Sequence, residues 1–286
     1  MPMDDCKRKE ILLQLGAEPN KIDGLLNYLS NVFSPCAPDD DSGFLEKWGQ
    51  IIQYAERYGA VEAINRYLAT KNLQVEFMLP KTIEIELFQS IGGIIPIITV
   101  KNIKDFEAII HNVIAKGKGA PVPGNMGAVF AFGKHNRFIV LSDKCYANIS
   151  AEQAGIDEAA WKEKSLTIRK HHECAHYFTK RFFGSSKNNL HDEIIADFCG
   201  IYAAFGKYDA NLFLLCMGLI DNSSGATGRL GIYTQGLSEN ELEVVSKLAV
   251  IAAKKIEEWS KTVSFFEMSE MERMKVLCQN ELLAWV

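Results

Sequence analysis

The spacing of hydrophobic positions along this 286-residue chain changes twice, and the changes predict three stretches of different structure. From residue 1 to about 75, apolar residues recur at helical intervals in Ile11-Leu12-Leu15, Ile22-Leu25-Leu26-Leu29-Phe33 and Leu45-Trp48-Ile51-Ile52-Ala55. The linker from Ser34 to Gly43 interrupts them with Pro35, Pro38 and the run Asp39-Asp40-Asp41, which reads as a solvated loop. This stretch is expected to be an N-terminal helical region, acting as a scaffold or docking piece.

From about Gln74 to Asn148 the period shortens. Thr82-Ile83-Glu84-Ile85-Glu86-Leu87-Phe88 alternates apolar and polar residues, as a half-buried strand does. Ile94 to Val100, Ala128 to Phe132 and Phe138 to Leu141 are further strand candidates, with a helix-period stretch from Ile103 to Ala115 between the second and third. The glycines and prolines between Gly117 and Gly127 mark a loop. A small mixed sheet follows from this pattern.

Beyond Glu152 the helical period returns, and all eight prolines lie at or before Pro123. That asymmetry suits a helical C-terminal half, since proline inside a helix costs about 3 kcal/mol. Helices are expected from about Asp157 to Phe183, stopping at Gly184, from about His191 to Phe205, stopping at Gly206, and from Asp209 to Ile220. Ser238 with Glu241 and Ser269 with Glu272 form capping-box patterns that open two more. The fold class expected is α+β, with boundaries of 1–75 for the helical region and 76–286 for a second domain.

Composition narrows the function. A net charge of −5 provides no basic field to hold nucleic acid or an anionic membrane. No apolar run reaches the roughly 20 residues of a membrane helix, and the N-terminus lacks the features of a secretory signal, so a cytoplasmic protein is expected. The seven cysteines include no C-x-x-C pair and read as reduced thiols packed as small hydrophobes.

The candidate chemistry lies in the helix after Asp157. Four of the six histidines cluster at 171, 172, 176 and 191. His172 and His176 stand one turn apart, so on a helix both rings can reach one metal ion. Glu173 is rotated about 100° from them. It flanks the open coordination position, where it can accept a proton from activated water. Residues 172–176 thus read H-E-x-x-H, the zinc-peptidase pattern. The next helix offers Glu193 and Asp197 on one face, the first as third zinc ligand and the second as acceptor for the outer nitrogen of a ligand histidine. His191 and Asp192 compete with Glu193 for the ligand role, although Asp192 also suits a helix N-cap. His171 points away as a surface or outer-sphere residue, and Cys174 faces the core. His111 and His135 have no partners in the pattern.

This combination resembles the gluzincin group of zincin metallopeptidases, of which the thermolysin-like enzymes are one branch, in joining H-E-x-x-H to a downstream helix carrying Glu-x-x-x-Asp. The resemblance covers Trp161 to Phe205. The longer metzincin pattern is absent, because it requires glycine at Thr179 and histidine at Phe182. What the resemblance implies is one Zn2+ held by His172, His176 and Glu193, Glu173 as general base, Asp197 orienting His172, and hydrolysis of a peptide or protein substrate. Tyr233, in the glycine-flanked segment 231–236, is the candidate for oxyanion stabilisation, and Ala128 to Phe132 the candidate sheet edge along which substrate would lie. The alternative is a zinc-binding or helical interaction protein in which the site has no turnover.

Overall fold

The computed structural model describes residues 3–30, 33–38, 40–70, 73–118, 121–132, 137–184, 189–220 and 228–286. The N-terminal region forms α1 (Asp5–Gln14), α2 (Ile22–Leu29), α3 (Ser42–Tyr58) and α4 (Ala60–Tyr67). Next come β1 (Glu84–Ser90), β2 (Gly93–Val100), α5 (Ile103–Ile109), β3 (Ala128–Phe132) and β4 (Arg137–Ser142). The remainder is helical: α6 (Ala151–Ala154), α7 (Glu158–Phe183), α8 (Leu190–Phe205), α9 (Ala210–Met217), α10 (Leu230–Tyr233), α11 (Glu239–Trp259), α12 (Val263–Glu267) and α13 (Glu270–Gln279). The fold is mixed α+β with a helical majority and one four-stranded sheet among the described residues.

The sheet runs in the order β1-β2-β4-β3, so β3 is an edge strand. Its outer pairs are antiparallel and the central β2–β4 pair is parallel. Parallel neighbours need a crossover, and α5 lies within it. The helix expected from Ile103 to Ala115 changes at Ile110 into a π-helical turn that ends at Ile114.

Alternation along β2 and β4 sends side chains to two cores. Ile98, Val100, Phe138 and Val140 face α3, α4 and α5, meeting Trp48, Ile64 and Phe106. Ile95, Ile97, Ile139 and Leu141 face α7 at Cys174 and Tyr177. The opposite side of α7 contributes Ala175, Phe178 and Phe183 to a third core with α1, α2, α8, α9 and α11. The N-terminal helices therefore divide: α1 and α2 pack into the C-terminal bundle, α3 and α4 onto the sheet.

Asp41 anchors the linker between these pairs. It is buried and ion-paired with Arg137 at 3.0 Å and with Arg181 of α7, and it accepts from the Tyr177 hydroxyl at 3.1 Å. The expectation of a solvated acidic run fails here because two guanidiniums compensate the buried carboxylate. Asp39 of that run and His135 lie outside the described residues. All seven cysteines are free, but Cys6 and Cys36 are exposed instead of packed in a core.

Helix α7 is set by its ends. Asp157 accepts from the backbone N–H of Ala159 and Ala160 at 3.0 and 3.1 Å, and Gly184 closes the helix with a φ of 66°. Helix α8 passes close to it at Gly200, where a Cβ would lie 2.5 Å from the carbonyl oxygen of Ile168. A backbone atom cannot move aside as a flexible side chain can. Gly200→Ala is accordingly expected to force the helices apart and cost about 1–3 kcal/mol, read as a lower urea midpoint with an unchanged slope.

Candidate metal centre

The approach of α8 to α7 brings two rows of polar side chains together inside an otherwise apolar interface. From α7 come His172 and His176, one turn apart, and from α8 come Asp192, Glu193 and Asp197. The three carboxylates are essentially fully buried. Isolated buried carboxylates would be strongly destabilising, so their partners define the site.

His172 directs Nδ1 at Asp197 Oδ1, 2.7 Å away. His176 directs Nδ1 at Asp192 Oδ2, 3.4 Å away. With both outer nitrogens turned toward carboxylates, the Nε2 atoms face inward, 3.1 Å apart. Glu193 completes a triangle, with Oε2 at 3.6 Å from His172 Nε2 and Oε1 at 3.5 Å from His176 Nε2. Two imidazole nitrogens with their outer N–H groups engaged and one carboxylate are all acceptors, and acceptors aimed at one point repel unless a cation lies between them.

The donor set fits zinc. Ligand atoms about 2.0–2.1 Å from a tetrahedral ion stand about 3.3 Å from one another, close to the separation of the two Nε2 atoms and of each from its nearer Glu193 oxygen. His172, His176 and Glu193 can each contribute a ligand atom within 4.8 Å of the others. The two nitrogens, one oxygen and outer carboxylates match what zinc sites use.

Asp192 does not cap α8, and its carboxylate faces the outer nitrogen of His176. Asn189 caps α8, accepting from the Asp192 backbone N–H at 3.1 Å. The helix begins one residue earlier than the sequence pattern suggests, which turns the Asp192 side chain inward to His176 and to the Thr179 hydroxyl at 3.3 Å. His191 points the other way, with Nε2 2.9 Å from the Leu277 carbonyl oxygen. His171 packs edge-on against Phe88 of β1 and is half-buried, away from the cluster.

Two residues that the sequence pattern does not flag reach the same cluster. Arg229, just before α10, donates from Nη2 to Glu193 Oε2 at 2.7 Å and from Nη1 to Asp197 Oδ2 at 3.0 Å. Tyr146 donates its hydroxyl to Asp197 Oδ1, lies 2.9 Å from His172 Nδ1, and accepts from Arg229 Nη1 at 2.9 Å. The turn carrying Tyr146 is fixed to α7: Tyr146 N donates to Ser165 Oγ at 3.0 Å, and Arg169 donates to the carbonyls of Ser142 and Lys144, each at 2.9 Å. Ala147 and Asn148, which follow, hold left-handed φ values of 53° and 59°. Such strain in residues with side chains costs about 1–3 kcal/mol each.

A cavity of about 880 Å³ opens beside the cluster. His172, Glu173, Tyr146, Arg229 and Tyr233 line it, with Ala128 at the start of β3. Glu173 and Tyr233 therefore share one cavity with the candidate ligand His172. The Tyr233 hydroxyl accepts from Arg229 Nη2 at 3.3 Å. Burial, more than the neighbouring charges, raises its pKa and keeps the phenol protonated at neutral pH.

Burial alone would lower the pKa of His176, but the carboxylates of Asp192 and Glu193 outweigh it and hold the value well above that of a free histidine. Ligand nitrogens have to be deprotonated to bind metal, so zinc affinity should rise with pH, most steeply where His176 gives up its proton. Chelator-competition titrations at several pH values measure the slope.

A family model matches residues 68–137 and 134–285, which is most of the chain. The chain belongs to DUF7005, a family of unknown function. All the residues of the cluster, and Glu173 and Tyr233 with them, fall within the matched segments, whereas α1 to α4 lie before them. No curated protein and no solved structure matches the chain. No helix among the described residues is long and apolar enough to cross a membrane.

Proposed function

We propose that this chain is a zinc-dependent, gluzincin-like peptidase that hydrolyses peptide bonds with Glu173 as general base. The observation that carries the reading is the convergence of His172 Nε2, His176 Nε2 and Glu193 on one point while Asp197 and Asp192 take the outer imidazole nitrogens. A zincin-like architecture is part of the proposal. It rests on the packing of α7 against a sheet whose antiparallel edge strand, β3, begins at the cavity wall.

Zinc, when bound, would polarise a carbonyl and acidify water. The protein's residues do the rest. Edge strand β3 can pair with an extended peptide and bring its backbone past Glu173. The carboxylate of Glu173 takes a proton from the attacking water and returns it to the departing amine. Tyr233, protonated and in the same wall, donates to the oxygen on which negative charge develops. Asp197 and Asp192 keep both imidazoles in the tautomer that presents Nε2. The unpaired cysteines support a reducing compartment, here the cytoplasm.

The test uses a quenched-fluorescent peptide library and unfolded casein. Hydrolysis should vanish on chelation and return with one equivalent of Zn2+ but not with Mg2+. Zinc-loaded protein that cleaves nothing in the library or in casein would overturn the proposal and leave a non-catalytic metal centre.

A further inference from the structure

The guanidinium of Arg229 bridges two carboxylates that have different tasks in the cluster. Nη2 takes Glu193 Oε2 at 2.7 Å, and Nη1 contacts both Asp197 oxygens, at 3.2 and 3.0 Å. Its side chain is largely buried, and it also contacts the Tyr146 and Tyr233 hydroxyls. Every ligand side chain then has its own buried partner: Asp197 for His172, Asp192 for His176, and Arg229 for Glu193.

The backbone supplies a reason for this placement. Gly218, the residue after α9, and Gly228, the residue before Arg229, touch backbone to backbone. A Cβ on Gly228 would lie 2.3 Å from the Met217 carbonyl oxygen and 2.6 Å from Gly218 Cα. A Cβ on Gly218 would lie 2.7 Å from Gly228 Cα. Only residues without side chains permit that pinch, and it delivers the next residue, Arg229, to the metal ligands.

On the reading of the cluster as a zinc site, we propose that Arg229 is a positioning residue for the metal centre. By holding Oε2 of Glu193 it turns Oε1, 3.5 Å from His176 Nε2, toward the ion, and by holding Asp197 it fixes the ring of His172. The planar fork is essential, because one guanidinium spans two carboxylates, whereas an ammonium is a single point charge. The sign of the effect separates this role from simple charge balance. A cation this close opposes Zn2+ electrostatically, so a residue acting only through charge would, on removal, tighten zinc binding. A positioning residue would, on removal, weaken it, by the 10–100-fold typical of lost outer-sphere partners.

The experiment titrates wild type, Arg229→Lys, Arg229→Met and Gly228→Ala with Zn2+ against a chromophoric chelator, and records the visible absorption of each with Co2+. Arg229→Lys keeps the buried carboxylates paired with a cation, so it stays informative if Arg229→Met fails to fold. The expected results are zinc binding weakened by roughly 10–100-fold in Arg229→Lys, an altered Co2+ spectrum, and a change in the same direction for Gly228→Ala, which leaves Arg229 in the sequence but displaces its backbone. Wild-type affinity and an unchanged Co2+ spectrum in Arg229→Lys, or tighter zinc binding in Arg229→Met, would overturn the positioning role while leaving the zinc site standing. Wild type that binds neither ion would overturn the zinc site itself, and this inference with it.

Discussion

Glu173→Gln is expected to leave zinc bound and reduce peptide hydrolysis about a thousandfold, within the range for loss of a general base. The argument rests on position. Glu173 follows His172 on α7 but lies on the cavity side, half-buried, while His176 and Glu193 face the α7–α8 interface. None of the polar contacts that orient the three ligands runs through Glu173: they go to Asp197, Asp192 and Arg229. Glutamine matches the shape of glutamate and keeps an acceptor oxygen, but it cannot accept the proton. Zinc content by elemental analysis and the hydrolysis rate should therefore separate, the first constant and the second nearly abolished. Parallel loss of both would make Glu173 part of the metal-binding structure. Unchanged hydrolysis would remove it from the mechanism.

The second large effect concerns the ligands. His172→Ala and His176→Ala should each lose stoichiometric zinc, with affinity falling by well over the roughly hundredfold that outer-sphere substitutions reach. The double variant should be scarcely worse than either single one, because ligands that act as a unit are not additive. A stability cost accompanies the loss at His176. Asp192 and Glu193 are buried at the α7–α8 contact, and removing the imidazole between them takes one partner from each while Thr179 and Arg229 stay in place. Breaking a buried pair in this way costs about 3–5 kcal/mol, so thermal denaturation should show a lower midpoint for His176→Ala than for Glu173→Gln. The pH dependence of the stability that Asp197 contributes has a defined sign. Burial opposes ionisation of Asp197, but Arg229 and His172 more than offset it and hold its pKa below the ordinary value. Its contribution to stability is thus present above the unfolded carboxylate pKa and is lost as pH falls through the depressed folded value.

The parts of this site that could be read from the sequence are those with helical spacing. His172 and His176, and Glu193 and Asp197, are pairs one turn apart, and the helices that carry them are bounded by signals visible in the chain: Asp157, Gly184 and Gly206. The same holds for the capping boxes at Ser238 and Ser269, which both form, and for β1, which the alternation of Thr82 to Phe88 marks to within two residues. Tyr146 and Arg229 were not legible because they reach the cluster from irregular segments, one through a strained turn and the other through a glycine pinch, and no periodicity relates them to α7 or α8. The nearest available signal for Arg229 was its place beside Gly228 and near Tyr233. Asp192 departs from the N-cap expectation for a smaller reason. With Asn189 as cap, α8 starts at Leu190, so a residue that looked like a cap lies in the first turn facing His176. Asp41 differed because its partners, Arg137 and Arg181, are remote in sequence and become neighbours only when β4 and α7 pack.

The most direct test of the three-ligand centre is an anomalous difference map at the zinc edge from crystals of the wild-type chain grown with one equivalent of Zn2+. The expected map has one strong peak between α7 and α8, about 2 Å from Nε2 of His172, Nε2 of His176 and a carboxylate oxygen of Glu193. A map with no peak there, or with its peak on other side chains while those three remain as they are, would contradict the account.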